Sequence, residues 1–102
     1  MLRSVGGFDW DAGNISKCQK HGVSVADIEM LFGSTSLSIA PDLPNSKFEE
    51  HFNTIGRTTD GRSVFLVFTF RILDGVTLIR PISARYMHKK EIDHYAQKNP
   101  KT

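Results

Sequence analysis

The sequence predicts one α+β domain over residues 1–102, built on an antiparallel sheet of about four to five strands with helices on one side. Two short helical patterns lie near the start, alternating strands joined by tight turns fill the second half, and a helical tail follows. Strands linked by tight turns pair antiparallel, and helices then cover one face of the sheet. With 102 residues, 39% of them hydrophobic, the chain has the size and core of a single domain.

The first elements are predicted to be a short edge strand and a helix. Phe8-Asp9-Trp10-Asp11 alternates aromatic and acidic residues, which is typical of a strand running into a helix cap. The helix is expected over 11–21, because Lys20 and His21 suit a last helical turn. Gly22 suits the left-handed position that ends a helix.

A second helix is predicted directly after this turn. Ser24 is a good N-cap, and Asp27 three residues later resembles a capping box. Gly33 ends a segment in which apolar residues recur at helical spacing: Val25, Ile28, Leu31 and Phe32. The two short helices are therefore expected to form a helical hairpin.

The strands that follow are predicted from alternation and turn residues. Residues 36–40 alternate, 41–47 form a loop with two prolines, and 48–57 form a second strand. Within that strand, His51 and Arg57 are expected on one face together with Asn53 and Ile55. The segment 59–62 (Thr-Asp-Gly-Arg) is a strong hairpin signal.

The next strand, 63–72, is the most apolar, and it carries apolar residues on both faces, which predicts a central strand. Asp74-Gly75 is a second turn, followed by a long strand over 76–85. Pro81 interrupts that strand and implies either a sheet edge or a bulge. A final helix is expected over 88–97.

Charge is unevenly distributed along the chain. Residues 1–50 have a net charge of −3 and residues 51–102 a net charge of +5, for a total of +2. All five arginines of the second half lie within 57–85, and guanidinium groups match phosphate geometry. The sequence therefore favours a polyanion ligand, RNA above all.

Cellular location is predicted from what the sequence lacks. Cys18 is the only cysteine, so no internal disulfide can form, and small secreted domains usually need one. No segment resembles a signal peptide or a membrane-spanning run. A cytoplasmic protein without membrane contact is expected.

Candidate functional residues are few, and each has an ordinary structural alternative. Lys20 and His21 either end a helix or place a cation and a titratable imidazole beside a phosphate. Arg57, Arg80 and Arg85 are either solvated arginines or a phosphate clamp, and a bulge at Pro81 would bring the last two to one side.

Metal and thiol chemistry are not expected. His88, Glu91 and His94 recur every three residues, which spreads them around a helix, and no zinc motif is present. Cys18 is expected to be a small core residue. No glycine-rich phosphate loop occurs, so no cofactor is predicted.

Taken together, these residues resemble the BrnT family of bacterial toxins. The resemblance runs from Phe8 to about Tyr95 and rests on the order and spacing of Phe8-Asp9-Trp10-Asp11, Asn14, Lys20-His21-Gly22-Val23-Ser24, Leu31-Phe32, Glu49-Glu50-His51-Phe52, Thr54-Ile55-Gly56-Arg57 and Ile82-Ser83-Ala84-Arg85. It implies a RelE-like fold and a metal-independent endoribonuclease, the toxin of a type II toxin–antitoxin system. It also implies neutralisation by a BrnA-like antitoxin of ribbon-helix-helix type, with promoter DNA bound only through the complex.

The resemblance also implies a set of site residues. The positions that match the family and are expected to act in catalysis are Lys20, His21, Arg57, Arg80 and Arg85. His51 and Ser83 are expected to contact RNA. The chain departs from the family pattern at His51, where a basic residue is usual, and at Pro81, where an aliphatic residue is usual.

Three functions remain open from the sequence. In the leading one, a ribose 2′-OH attacks the adjacent phosphorus, with arginines on the phosphate and His21 or His51 moving protons. In the second, a non-catalytic domain uses the same arginine face to bind RNA or an antitoxin. The third, a DNA-binding module acting alone, ranks lowest because no basic recognition helix is present.

Overall fold

The computed structural model of the chain describes residues 5–33, 39–42, 46 and 49–98. In chain order, the described elements are β1 (Val5–Phe8), α1 (Ala12–Gln19), α2 (Val25–Leu31), β2 (Ile39–Pro41), β3 (Phe52–Arg57), β4 (Ser63–Leu73), β5 (Val76–Tyr86) and α3 (Lys89–Lys98). These five strands form one sheet in the order β1-β5-β4-β3-β2. The α+β class is confirmed.

The sheet is mixed, so the prediction of a purely antiparallel sheet is wrong at one pair. β1 pairs with β5 in parallel, whereas the β2–β3, β3–β4 and β4–β5 pairs are antiparallel. Tight turns impose antiparallel pairing only on strands that are consecutive in the chain. β1 and β5 are separated by most of the domain, and such a long connection permits parallel pairing.

Both N-terminal helices begin at the caps that the sequence indicates. The Asp11 side chain accepts a hydrogen bond from the Asn14 backbone N–H (3.0 Å), and the Asn14 side chain accepts one from the Asp11 N–H (2.7 Å). The Ser24 hydroxyl accepts one from the Asp27 N–H at the start of α2 (3.1 Å). Gly22 lies between the helices at a φ of 89°, which only glycine adopts readily. That the two helices form a hairpin stays a prediction.

The core lies between these helices and one face of the sheet. Its buried hydrophobic residues are Cys18, Val23, Ile28, Leu31, Val64, Leu66, Phe68, Ile79 and Ala84. Burial raises the pKa of the Cys18 thiol to about 11, so the group stays protonated at neutral pH. The prediction that Cys18 is a core residue is confirmed.

The strands before the first hairpin differ from the prediction in length. β2 covers Ile39–Pro41, and residues 36–38 lie outside the described residues. β3 begins at Phe52, so the predicted start at residue 48 is wrong for Glu49 to His51. The reason is local: the Ser46 hydroxyl accepts the His51 N–H at 2.9 Å, and this removes the donor from a strand ladder.

Both predicted hairpins are confirmed. Between β3 and β4, the Thr58 N–H donates to the Arg62 carbonyl (2.9 Å), and Gly61 has a φ of 85°. Between β4 and β5, Asp74 and Gly75 have φ values of 51° and 76°, as a two-residue turn requires. β4 lies in the middle of the sheet, as its two apolar faces predict.

Pro81 lies at a bulge in β5. Phe68 pairs with Pro81 and Val67 with Ser83, so Ile82 is the extra residue. The bulge prediction is confirmed, but the edge alternative is wrong, because β5 lies between β1 and β4. The strand accepts a proline there because pairing with β1 stops at Ile79, and the Pro81 carbonyl is instead bound by the Asn14 side-chain amide at 2.8 Å.

The long β4–β5 pair gives the molecule two distinct ends. The basic end comprises Arg57 and the β3–β4 turn at 58–62, Arg85 and Tyr86 at the end of β5, and the turn at 20–24 between α1 and α2. The apolar end comprises residues 72–76 at the β4–β5 turn.

None of the three helices in the described part of the chain has the length and apolar character that a membrane-spanning helix needs.

Candidate nucleic-acid interface

Arg57 and Arg85 are placed on the same face of the sheet, on either side of β4. Arg57 pairs with Ser63, and Arg85 pairs with Phe65 two residues further along the same strand. By strand spacing and rise, their backbones are about 12 Å apart. Two side chains as long as arginine can close much of that distance and meet at one phosphate.

The two guanidinium groups differ in their surroundings. Arg57 is exposed and has no ion-pair or hydrogen-bond partner for its side chain among the described residues. The Arg85 guanidinium lies 2.8 Å from a Glu91 carboxylate oxygen and 5.0 Å from the centre of the Phe65 ring. Hydrogen bonds from Arg85 and from the His88 N–H lower the pKa of Glu91 to about 2. Arg57 is therefore ready for an anion, whereas Arg85 must share its charge with Glu91.

Lys20 and His21 lie at the same end of the sheet, on the side of the helices. Lys20 caps the C-terminus of α1, and both side chains are exposed. The next residue, Gly22, lies against Tyr86: a Cβ on Gly22 would be 3.7 Å from the tyrosine ring. Since Tyr86 follows Arg85 directly in β5, the turn between the helices is held beside the end of the arginine strand.

Arg80 lies on the same face as Arg85, as a bulge at Pro81 predicts, but its charge is already matched. It pairs with Thr69, four residues along β4 from the partner of Arg85, a separation of about 14 Å along the strand. Its guanidinium contacts Asp11 at 2.8 Å and Asp9 at 3.4 Å, and its side chain is 18% exposed.

The Arg80 contacts also act on the α1 cap. Hydrogen bonding by the Asn14 N–H, and then by Arg80, lowers the pKa of Asp11. In this arrangement Arg80 ties β5 to the connection between β1 and α1. A role on a phosphate would require the guanidinium to exchange both aspartates for the ligand.

His51 lies far from the basic end. It precedes β3, and Arg57 ends that strand, so the two are about 20 Å apart by strand rise. The His51 Nε2 lies 3.2 Å from a Glu49 carboxylate oxygen, which also contacts Arg71 at 3.2 Å. The structure therefore does not bring His51 together with Lys20 and Arg57.

Ser83 lies between the two arginines of β5. It pairs with Val67 on the same face as Arg85, and it is partly exposed. Among the described residues, no group of three His, Cys, Asp or Glu side chains is arranged to hold a metal ion.

The sequence interpretation overlooked Arg62 and Tyr86 as a pair. The Arg62 guanidinium carbon lies 3.4 Å from the centre of the Tyr86 ring. The sequence interpretation counts Arg62 among the five arginines of the second half and as the last residue of a turn motif, and it places Tyr86 beyond the last strand. The available signal is an arginine directly after a hairpin glycine, with an aromatic residue at the end of the second strand that follows.

Comparison with known protein families gives a match over most of the chain. The family model described as ribonuclease toxin, BrnT, of type II toxin–antitoxin system matches residues 10–91. This range contains most of the chain, including all elements from α1 to β5 and every residue of the basic end. A comparison with curated proteins returns no match.

Proposed function

We propose, from the premise that the chain belongs to the BrnT family of ribonuclease toxins, that it cuts RNA at the basic end without a metal ion. One observation carries the choice of place. Arg57 and Arg85 flank β4 on one face, and the exposed Lys20–His21 turn is held at the same end of the sheet. Cations and an imidazole are thereby collected at one edge of the molecule.

The proposed reaction is phosphodiester transfer within RNA. The oxygen of a ribose 2′-OH attacks the adjacent phosphorus and the bond to the 5′-oxygen breaks, leaving a 2′,3′-cyclic phosphate and a 5′-hydroxyl. Arg57 and Arg85 contact the nonbridging oxygens and stabilise the charge that develops there. DNA is spared, because it lacks the attacking hydroxyl.

Two protons move in this reaction, one from the 2′-OH and one to the leaving 5′-oxygen. We assign proton transfer to His21, with Lys20 assisting, because both are exposed at the basic end. Their turn lies on the helix side of the sheet, so the RNA must pass around the end of the sheet to bring a phosphate held by Arg57 and Arg85 within reach of His21. An imidazole can accept and donate protons near neutral pH. His51 is the less favoured group, since about 20 Å of strand separates it from Arg57.

The remaining site predictions are assigned by their surroundings. The two aspartates on Arg80 support a positioning role for this residue, which would hold β5 against the start of α1. Ser83 is partly exposed on the same face as Arg85, two residues before it, which supports a hydrogen bond to RNA. The prediction that His51 contacts RNA stays a prediction.

Membership of a type II toxin–antitoxin family implies an antitoxin partner. We propose that this antitoxin is BrnA-like and of ribbon-helix-helix type, that it neutralises the ribonuclease, and that the complex binds its own promoter. A small reading frame beside this one, encoding such a protein, is the expected finding. Expression of that protein should relieve growth arrest caused by the toxin.

The experiment is incubation of RNA with the purified chain in EDTA, with the product ends mapped. We expect cleavage to proceed in EDTA and to give cyclic phosphate and 5′-hydroxyl ends. A 2′-deoxy substitution at the cut position should abolish it. Binding without cleavage would favour the non-catalytic alternative, and cleavage only with a divalent cation would overturn the metal-free assignment.

A further inference from the structure

The contact between Arg62 and Tyr86 at the basic end has no place in the reaction described above. The guanidinium carbon lies 3.4 Å from the ring centre, a separation too short for an N–H group pointing straight at the ring. The planar guanidinium therefore lies flat on the ring. Because Arg62 is exposed, the face of its guanidinium turned away from Tyr86 is open to the surface.

We propose that this open face is a stacking platform for an unpaired nucleobase of RNA. The inference deepens the proposed function and rests on it: the base belongs to the strand whose phosphate is held by Arg57 and Arg85. Arginine planes and aromatic rings are the groups on which proteins stack bases of single-stranded RNA. Arg62 contacts the base, and Tyr86 is a positioning residue beneath it.

The platform is fixed from below. The Tyr86 hydroxyl donates to the Gly22 carbonyl at 3.5 Å, and the ring packs against Gly22 and the core. A guanidinium resting on an aromatic ring is attracted by the ring face. Such contact holds an otherwise mobile side chain flat, so less conformational freedom is lost when a base stacks on it.

Arg62 forms no salt bridge among the described residues, although its charge attracts the nearby Asp60 carboxylate and, together with the larger effect of the Thr58 hydrogen bond, helps to lower the pKa of that group. Among the described residues, Arg71, Arg80 and Arg85 form ion pairs within 4 Å, but Arg62 does not. Asp60 lies in the same turn, where it accepts a hydrogen bond from the Thr58 hydroxyl. The Arg62 cation is thus available to a nucleotide as well as to the ring.

The location of the platform suits an RNA strand that crosses the end of the β-sheet. Arg85 and Tyr86 are consecutive in β5 and point to opposite faces, and Lys20 and His21 are next to Gly22. A phosphate held by Arg57 and Arg85 lies on one face of that end, and the platform lies on the other. The proton-transferring turn lies beside the platform.

The test uses the full chain and a 2′-O-methyl RNA oligonucleotide, which cannot be cut by 2′-OH attack. Binding is measured by fluorescence anisotropy, with a series of probes that each lack one base. Loss of a stacked base costs about 5- to 150-fold in affinity. For the unmodified chain, we expect one abasic probe to bind about tenfold more weakly than the complete probe. For Arg62→Lys, we expect that abasic probe and the complete probe to bind with equal affinity.

The variants separate stacking from charge. Arg62→Lys keeps the charge and removes the plane, so it should weaken binding about tenfold without changing the salt slope. Tyr86→Phe keeps the ring and loses only the hydroxyl, so it should weaken binding less than Tyr86→Leu does, with thermal unfolding confirming that both variants are folded. Equal affinity of Arg62→Lys and the unmodified chain overturns the platform, as does the absence of any base-dependent probe.

Cleavage of unmodified RNA, followed on the same samples, keeps this inference apart from the proposed function. If the unmodified chain cuts RNA but Arg62→Lys binds every probe as tightly as the unmodified chain does, only the platform fails. If the chain cuts nothing and the base-dependent loss persists, only the ribonuclease proposal fails. An unmodified chain that binds no RNA overturns both.

Discussion

The two ends of the β4–β5 strand pair carry different surfaces, one apolar and one basic. At the apolar end, the exposed fractions of Ile72, Leu73 and Val76 are 71%, 53% and 45%. At the basic end, Arg57 is exposed without a described partner, and Arg62 rests on a ring. All arginines carry the same charge, so what distinguishes Arg57 and Arg62 is that neither forms a salt bridge with a carboxylate among the described residues.

Arg71 makes the contrast with Arg57 clear. Both are sheet arginines, but Arg71 shares a Glu49 carboxylate with His51 near the apolar end. An arginine that already faces a carboxylate gives up that contact when it binds a phosphate, which lowers its gain by the modest worth of an exposed ion pair; Arg85, which faces Glu91, bears the same cost, and Arg57 does not. The molecule therefore has one end suited to a polyanion, although its arginines extend along the whole sheet.

The largest expected effect is on folding. Ile79→Ala should lower the free energy of unfolding by about 2–5 kcal/mol, because this side chain is 2% exposed and lies in the core. The same change at Ile72, at the apolar end, should cost less than about 0.5 kcal/mol. Urea unfolding of both variants measures this, and equal losses would mean that the apolar end is packed against something in solution.

Next is the loss of a phosphate ligand. Arg57→Ala should slow RNA cleavage on the order of 10²-fold, since a positioned donor to the developing charge is lost. Arg71→Ala removes the same side chain from the opposite end and should change the rate less than about threefold. Single-turnover cleavage rates of both variants measure this, and a comparable loss of rate in both would contradict a phosphate site confined to the basic end.

Arg80→Gln tests whether Arg80, which contacts two aspartates, stabilises the fold rather than contacting the phosphate. Loss of the contacts to Asp9 and Asp11 should destabilise the fold by about 1–3 kcal/mol, as expected for hydrogen bonds between charged groups. Cleavage by the folded fraction should fall less than about threefold. A 10²-fold loss of rate with unchanged unfolding would instead place Arg80 on the phosphate.

Glu91→Gln should strengthen RNA binding by up to about fivefold. The carboxylate shares the Arg85 charge at 2.8 Å, and an exposed pair of this kind contributes little, so its loss should change affinity by a few-fold at most. Anisotropy with uncuttable RNA measures the change. Asp93→Asn is the matched control, because its partner Lys89 is exposed and belongs to α3 rather than to the sheet. Weaker binding by Glu91→Gln would mean that the carboxylate holds Arg85 in its working position.

The smallest effect is a pH dependence of the same contact. The pKa of Glu91 is lowered from its ordinary 4.5 to about 2, so its contribution to stability is complete above pH 4.5 and is lost as the pH falls toward 2. An NMR titration of the Glu91 carboxyl should show this midpoint, and Arg85→Gln should return it toward 4.5. A midpoint near 4.5 in the unmodified chain would show that the contact does not form.

Much of the architecture was predictable because it is local. The caps at Asp11 and Ser24, the turns at Gly61 and Asp74, and the bulge at Pro81 each depend on a few neighbouring residues. The parallel pairing of β1 with β5 was not predictable, because it joins segments from the two ends of the chain. The late start of β3 depends on a hydroxyl five residues from the residue that it binds.

The candidate site was only partly predictable for the same reason. Residue type and spacing identified Arg57 and Arg85, and the alternation of strands placed them on a face. The carboxylates that contact Arg80 belong to residues about 70 positions earlier in the sequence, and no local sequence pattern predicts these contacts. The distance of His51 from Arg57 follows from its place before β3, which the longer predicted strand obscured.

One NMR measurement tests the central claim, that RNA binds at the basic end, most directly. Uncuttable 2′-O-methyl RNA is titrated into the labelled chain, and the arginine side-chain and isoleucine methyl signals are followed. The account predicts the largest shifts at Arg57, Arg62 and Arg85, with Arg71 and Ile72 nearly unchanged. Shifts centred on Arg71 and Ile72, or an Arg57 signal that does not move at saturation, would contradict it.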